Sequence, residues 1–419
     1  MRHTFPYREV EPVDIPDRQL AGVYSIGDDS SAFRDPKELV IAALANPVGS
    51  PPLRARVGPG SKVLIVTDDN TRTTRTEVML PAVIAELLDA GLSEDDIEVF
   101  VALGTHRPMT RAEMELKYTP ALVARHPFTV PDVHNPAEYG KISGPRDFEI
   151  RIHRRLIRAD FIIGVGQTVP HLIAGFGGGC KIVNPGCADP GTIGRMHWLC
   201  STVPEGQLFA VRDNAVRARI DEVGLKAGMK FIVNEVPGKD DAVAAVFAGD
   251  PIAAHREACA FAGAACAVKV AELADIVVAD ACPCDFDFWQ SLKGLNAACS
   301  AVRRGGTVVF VTPCPEGVCA QHPELLSVGL KRSDREIEGL VGDGKLDPIV
   351  GAAIWLGSRL AERAHITVVS AGMSKDEAVA MGLDHASTPA AALAKALDRH
   401  GPSARVNVLY KAAKMICEK

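Results

Sequence analysis

The stretch Lys62-Val-Leu-Ile-Val-Thr-Asp-Asp-Asn-Thr-Arg-Thr-Thr74 decides the fold. Its first half is an apolar run with no polar face, which reads as a strand buried on both sides. The run stops at Asp68-Asp69, and after a polar turn the helical pattern of Glu77–Ala90 begins, with Pro81 in its first turns. The same alternation recurs outward from this point. Ile97–Ala102 stops at Gly104-Thr-His-Arg-Pro108, and Phe161–Ile163 stops at Gly164-Val-Gly166. Phe231–Val233, Ile276–Val278, Val308–Val311, Ile366–Val369 and Val406–Val408 are further short apolar runs. Pro251–Ala262, Leu295–Arg304 and Ala392–Arg399 read as helices between or after them. Strands alternating with helices predict an α/β fold with mostly parallel, Rossmann-like sheets.

At 419 residues the chain exceeds one ordinary core, so two domains are expected. A boundary is predicted near residue 270, between an Ala-rich helix and the strand that starts at Asp275. This gives an N-terminal domain of 1–270 and a C-terminal domain of 271–419, with the active site in the cleft between them. The segment Thr76–Gly91 is a candidate crossing between the two.

Hydrophobic residues make up 47% and charged residues 23%, a globular composition, and the net charge of -6 comes without a basic tail. Nucleic acid is therefore not an expected partner. The N-terminus has no apolar run of signal-peptide type, and no stretch is long enough to span a bilayer, so a cytoplasmic protein is expected. Eleven cysteines without framework spacing fit a reducing compartment. Cys282-x-Cys284 and Cys314-x4-Cys319, with His322, do not match structural-zinc spacing.

In α/β sheets ligands gather at the carboxyl ends of strands, and the polar residues here fall there. Asp69, Thr71 and Arg72 follow the first strand, in a turn before a helix that suits an anion. His106 lies in a Gly/Pro-bounded loop after the second. Gly164–Gly186 carries His171 and Lys181 at the two ends of a glycine cluster, which is expected to let backbone approach a ligand closely. It is neither a dinucleotide fingerprint, since Val169-Pro170 replaces the third glycine, nor a P-loop, since Cys180 and Ile182 flank the lysine. His197 falls on a helix downstream, and Gln290 and Lys293 share one face near a helix N-terminus. Taken singly, each segment also reads as a helix cap, a solvated side chain or a packed core residue.

Taken in order, they resemble the lactate racemase family. The family's Asp-x-Thr-Arg, Gly-x-His-Arg-Pro, His-x3-Gly-Phe-x-Gly-Gly-x-Lys, downstream His and Gln-x2-Lys-Gly read here as Asp69–Arg72, Gly104–Pro108, His171–Lys181, His197 and Gln290–Gly294. The resemblance runs from about residue 60 to about residue 300. It implies an isomerase, a racemase or epimerase of a small 2-hydroxy acid. It also implies a nickel-pincer nucleotide, Ni(II) pyridinium-3,5-bisthiocarboxylic acid mononucleotide, covalently attached at Lys181 and installed by cofactor-maturation enzymes. On that pattern His197 is the nickel ligand, and Asp69 and Thr71 hold the nucleotide. His106 and His171 are the acid–base pair, and Arg72, Gln290 and Lys293 bind substrate. Cys180 departs from the family's arginine before the lysine, and Trp289 from its smaller aromatic, which bears on the choice of substrate. Two other readings stay open at this point. One is a metal-dependent lyase or hydrolase with His106, His171 and His197 as ligands; the other is a non-catalytic anion-binding protein.

Overall fold

The computed structural model describes residues 1–27, 35–144, 149–204, 206–238 and 242–418. Two compact units emerge, one of Asp28–Ala265 and one that joins Met1–Gly27 to Cys266–Lys419. In chain order, the strands of their large sheets are Leu20–Tyr24 (β1), Val63–Asp68 (β2), Ile97–Ala102 (β3), Phe128–Thr129 (β4), Phe161–Gln167 (β5) and Met229–Pro237 (β6). They continue with Val243–Gly249 (β7), Ala274–Asp280 (β8), Val302–Val311 (β9), His365–Val369 (β10), Asp384–Ala386 (β11) and Val406–Leu409 (β12).

In the 28–265 unit the sheet runs β4-β3-β2-β5-β6-β7. All neighbours are parallel except β6 and β7. Ranked by position in the unit this is the 3-2-1-4-5-6 order of dinucleotide-binding sheets, with the order reversing between β2 and β5. The β2 run is buried along its whole length, which is why it carries no alternation. The helix Thr76–Asp89 buries Met79, Leu80, Val83, Ile84 and Leu87, at three- and four-residue spacings, in the same cluster as Ile65 and Val101. Full burial of each such side chain stabilises by about 1.5–3 kcal/mol, an upper figure because unfolded chains already bury part of it.

The other unit holds a fully parallel sheet, β11-β10-β9-β8-β12-β1, whose order reverses between β8 and β12. The expected division at residue 270 placed the N-terminal residues in the wrong unit. Leu20 pairs with Val406 and Tyr24 with Leu409, so the first 27 residues belong with the C-terminal sheet. An edge strand that is only half buried has no apolar run to announce it. Thr76–Gly91 lies inside the 28–265 unit and does not cross.

Two local expectations also change. Gly164 and Gly166 do not end β5, because the missing side chains let neighbours close in. A Cβ on Gly164 would meet Met229 Cε at 2.3 Å. The helix expected to carry Gln290 and Lys293 near its start and to run on to Arg304 is Phe288–Ala301, shorter at its end because Val302 already pairs with Ala274. No helix among the described residues is long and apolar enough to cross a membrane.

Candidate active site

The β2–β5 reversal places the loops after β2, β3 and β5 at one edge of the sheet. Asp69 follows β2 and is almost fully buried. Its Oδ1 accepts from the Thr71 backbone N–H at 3.1 Å and the Thr71 hydroxyl at 2.5 Å. Its Oδ2 accepts from His106 Nδ1 at 2.6 Å. Arg72 Nη1 donates to the Thr71 hydroxyl at 2.8 Å and to the Thr71 carbonyl at 3.2 Å. Asp69, Thr71, Arg72 and His106 are thus one connected network. Burial opposes the charge on Asp69, but the positive charge and hydrogen bond offered by His106 outweigh it. With help from Arg72 and Thr71, they hold the carboxyl well below the usual carboxylate range.

The loop is braced from below. Lys117 Nζ donates to the carbonyls of Arg72 at 2.7 Å and Thr74 at 3.0 Å, and stands 3.4 Å from Asp68 Oδ1. Burial pushes the Asp68 carboxyl up, against the pull of Lys117 and of the Thr74 hydroxyl that donates to its Oδ2. Tyr118 Oη donates to the Asp68 carbonyl at 2.6 Å. Two contacts tie the loops together: Thr73 Oγ1 donates to Gln167 Oε1 at 3.4 Å, and Gly104 N–H donates to the Gly186 carbonyl at 2.9 Å. The second joins the His106 loop to the turn that follows Lys181.

His171 stands in a small hairpin, Pro170–His171 against Gly175–Phe176. Its Nδ1 accepts from the backbone N–H groups of Ile173 and Ala174, both at 3.2 Å. Lys181 lies on the 3₁₀ turn Gly179–Ile182 and is half-buried. At three of the glycines before it an added side chain would collide with the protein itself. A Cβ on Gly175 (φ +72°) would meet the Val211 carbonyl oxygen at 2.0 Å. On Gly178 (φ +75°) it would meet Thr168 Oγ1 at 2.5 Å, and on Gly179 (φ +58°) the His255 ring at 2.7 Å. At these positions the glycines let the loop pack against its own protein. Cys180 is fully buried and meets Gly224, where an added Cβ would lie 2.4 Å from Cys180 Cβ.

His197 sits in the last turn of the helix Pro190–Trp198, which Asp189 caps by accepting from Thr192 N–H. His197 Nδ1 donates to the Ile193 carbonyl at 2.8 Å. A carbonyl only accepts, so the proton is on Nδ1 and the neutral ring carries its lone pair on Nε2.

Two residues that organise this region escaped the sequence reading. Arg217 is 4% exposed and donates to the carbonyls of Phe176, Ala174 and Gly178. His255 Nε2 donates to the Gly177 carbonyl at 2.8 Å. A lone arginine and a lone histidine on amphipathic helices carry no local signal of such a role. In the C-terminal unit, Gln290 and Lys293 lie on the helix Phe288–Ala301, which follows β8. Asp287 caps this helix by accepting from Gln290 N–H at 2.7 Å, and Lys293 Nζ donates to Gln290 Oε1 at 2.5 Å. Trp289 stacks on His322 with ring centroids 4.7 Å apart. Among the described residues, no three His, Cys, Asp or Glu side chains are grouped to share a metal ion, so His106, His171 and His197 do not form a three-imidazole set.

A sheet in dinucleotide-binding order, with histidine, lysine and arginine on the loops at its reversal, defines a two-domain α/β enzyme with a small-molecule site. Residues 8–207 match the lactate racemase N-terminal domain and residues 269–417 the lactate racemase C-terminal domain. The chain belongs to the lactate racemase family and is an isomerase of the racemase kind. It is 29% identical to the lactate racemase of Thermoanaerobacterium thermosaccharolyticum over 312 residues, 73% of this chain and 72% of that one. It is 26% identical to the lactate racemase of Lactiplantibacillus plantarum over 380 residues, 89% of each. The fold is similar to that of the lactate racemase apoprotein from Thermoanaerobacterium thermosaccharolyticum, with a TM-score of 0.87, 24% identity and complete coverage of both chains. It is also similar to a structural-genomics protein from Thermotoga maritima, with a TM-score of 0.75, 19% identity and coverage of 92% and 99%.

Proposed function

We propose that this chain interconverts the two configurations at the α-carbon of a small 2-hydroxy acid, lactate or a larger relative, with a nickel-pincer nucleotide held at Lys181. The observation that carries the reading is the 2.6 Å contact between His106 Nδ1 and the buried Asp69 carboxylate. It orients an imidazole at the carboxyl edge of the sheet, next to the arginine that would bind the acid.

The donor chemistry fits the cofactor. His197 is anchored through Nδ1 by the Ile193 carbonyl, the arrangement that aims Nε2 of a ligating histidine at a metal. Imidazole suits Ni(II). Three residues beyond Lys181, both polar atoms of the fully buried Asn184 side chain lack hydrogen-bond partners. The hydroxyls of Thr67 and Thr168 are in the same condition at the ends of β2 and β5. Such orphaned groups fit a polar ligand lodging nearby. Lys181 would supply the amine for attachment, His197 the metal ligand, and Asp69 and Thr71 the contacts to the nucleotide. When bound, the group supplies an acceptor for the α-hydrogen, taken as hydride and returned to the carbon.

The chain's own residues handle the proton and the carboxylate. His106 takes the hydroxyl proton of one mirror form, and His171 supplies a proton to the oxygen as the other forms; in reverse their tasks exchange. Histidine suits both because its ordinary pKa lies near neutral pH. Arg72, Gln290 and Lys293 are the carboxylate contacts in this reading, holding the acid still while its α-carbon changes face.

The test is production together with cofactor-maturation enzymes, followed by intact mass, nickel analysis and assay with each mirror form of α-deuterated lactate and of larger 2-hydroxy acids. The expected result is a mass increment that Lys181→Ala abolishes, nickel that His197→Ala loses, and conversion with the deuterium retained on carbon. Nickel-loaded protein that racemises none of these acids, or that exchanges the label with water, overturns the reading.

A further inference from the structure

The two acid–base histidines are held in opposite ways. His106 Nδ1 faces Asp69, an ionised carboxylate that only accepts, so His106 carries a proton on Nδ1 and, in the neutral ring, its lone pair on Nε2. His171 Nδ1 faces two backbone N–H groups, which only donate, so in the neutral ring the proton is on Nε2. We infer that Asp69 is a positioning residue that sets the tautomer of His106, so that the acid–base pair is built from two unlike imidazoles, one presenting a lone pair and the other an N–H. The inference rests on the acid–base roles proposed above and adds to Asp69 a task besides nucleotide binding. A racemase has an equilibrium constant of one, so kcat/KM must be equal in both directions. The inequality therefore resides in the resting protonation pattern of the pair and not in net preference for one mirror form.

The side chain of Asp69 also dictates what its amide would do. Oδ1 already accepts from the Thr71 N–H and hydroxyl. In Asp69→Asn the amide oxygen must take that place, which turns the NH₂ group toward His106 Nδ1 and forces Nδ1 to accept. The His106 proton then moves to Nε2, and the basic atom is lost from the substrate side.

The experiment uses the full chain without nickel, labelled with ¹⁵N-histidine, at a pH about two units above the ordinary imidazole range. Signals are assigned with His106→Gln and His171→Gln. In the native chain His106 should show a protonated Nδ1 and His171 a protonated Nε2. Asp69→Asn should switch His106 alone, leave the His171 signals in place, and in the loaded enzyme lower kcat by roughly 100-fold or more. Equal tautomers in the native chain, or a His106 pattern unchanged in Asp69→Asn, overturn the inference. The native measurement decides even where the variant does not fold. A loaded enzyme that racemises nothing would instead defeat the functional reading, while these imidazole signals stay as stated.

Discussion

Lys117 Nζ donates to the Arg72 carbonyl oxygen at 2.7 Å, across 45 residues of sequence. The same ammonium holds the Thr74 carbonyl and stands beside Asp68, so one side chain braces the whole loop from Asp68 to Thr74. Its own side chain is 9% exposed, which makes this a buried contact and not a surface ion pair.

Lys117→Met keeps the length of the side chain and removes the charge. It takes the lysine's hydrogen bonds from the Arg72 and Thr74 carbonyls and the positive charge from beside the buried Asp68, a change that costs about 3–5 kcal/mol when a buried pair loses one partner. Urea unfolding should show a lower midpoint that, multiplied by a nearly unchanged slope, gives a loss of that size. A loss under about 1 kcal/mol, the range of an exposed pair, would show that the loop does not depend on this lysine.

On the proposed function, Lys293 is a test of substrate affinity. In Lys293→Ala, a charge-assisted hydrogen bond to the substrate carboxylate would be lost, and KM for the hydroxy acid should rise about 10- to 100-fold. The rise should exceed any fall in kcat, as for removal of ground-state binding. An unchanged KM in steady-state assay would remove Lys293 from the carboxylate contacts.

His255 makes stability sensitive to acid. Burial, together with the nearby Arg217 charge, pushes its pKa down to about 3, although its hydrogen bond to Gly177 works the other way. The unfolded chain protonates this histidine near its ordinary value of about 6.5, whereas the folded one does not until about 3. Its contribution is therefore complete above about pH 6.5 and falls by up to about 1.4 kcal/mol per pH unit below it. His255→Gln should flatten the slope of unfolding free energy against pH between about 6.5 and 3. An identical slope in the variant would contradict the assignment.

Gly224 faces Cys180 too closely for a side chain. Gly224→Ala improves helix propensity by about 1 kcal/mol, yet its Cβ would lie 2.4 Å from Cys180 Cβ. The net result should be destabilisation of about 1–3 kcal/mol through overpacking. Adding Cys180→Gly should recover part of it, as non-additivity in a double-mutant cycle on thermal or urea unfolding.

The strands were legible wherever both faces are buried. β2 and β3 stand out as mainly apolar, β-branched runs, and β10 differs from its predicted run by a single residue. Strands that are half-exposed or short were not, since β1 has an intermediate burial pattern and β4 has two residues. Similarly, Gly164 and Gly166 looked like a strand end because their packing partners, Met229 and Asp68, lie far away in the chain.

Residue identity and order by themselves determined the α/β class, the set of chemical groups and the family, because apolar periodicity and motif order are properties of the chain alone. Only tertiary structure decided that Met1–Gly27 joins the C-terminal sheet, that Lys117 braces the Arg72 loop, and that Arg217 and His255 hold the turn before Lys181. It also decided which groups face Nδ1 of His106, His171 and His197. The reason is physical: a hydrogen-bond partner is chosen by proximity in space, and residues 37 apart, such as Asp69 and His106, meet only after the strands that precede each of them have paired.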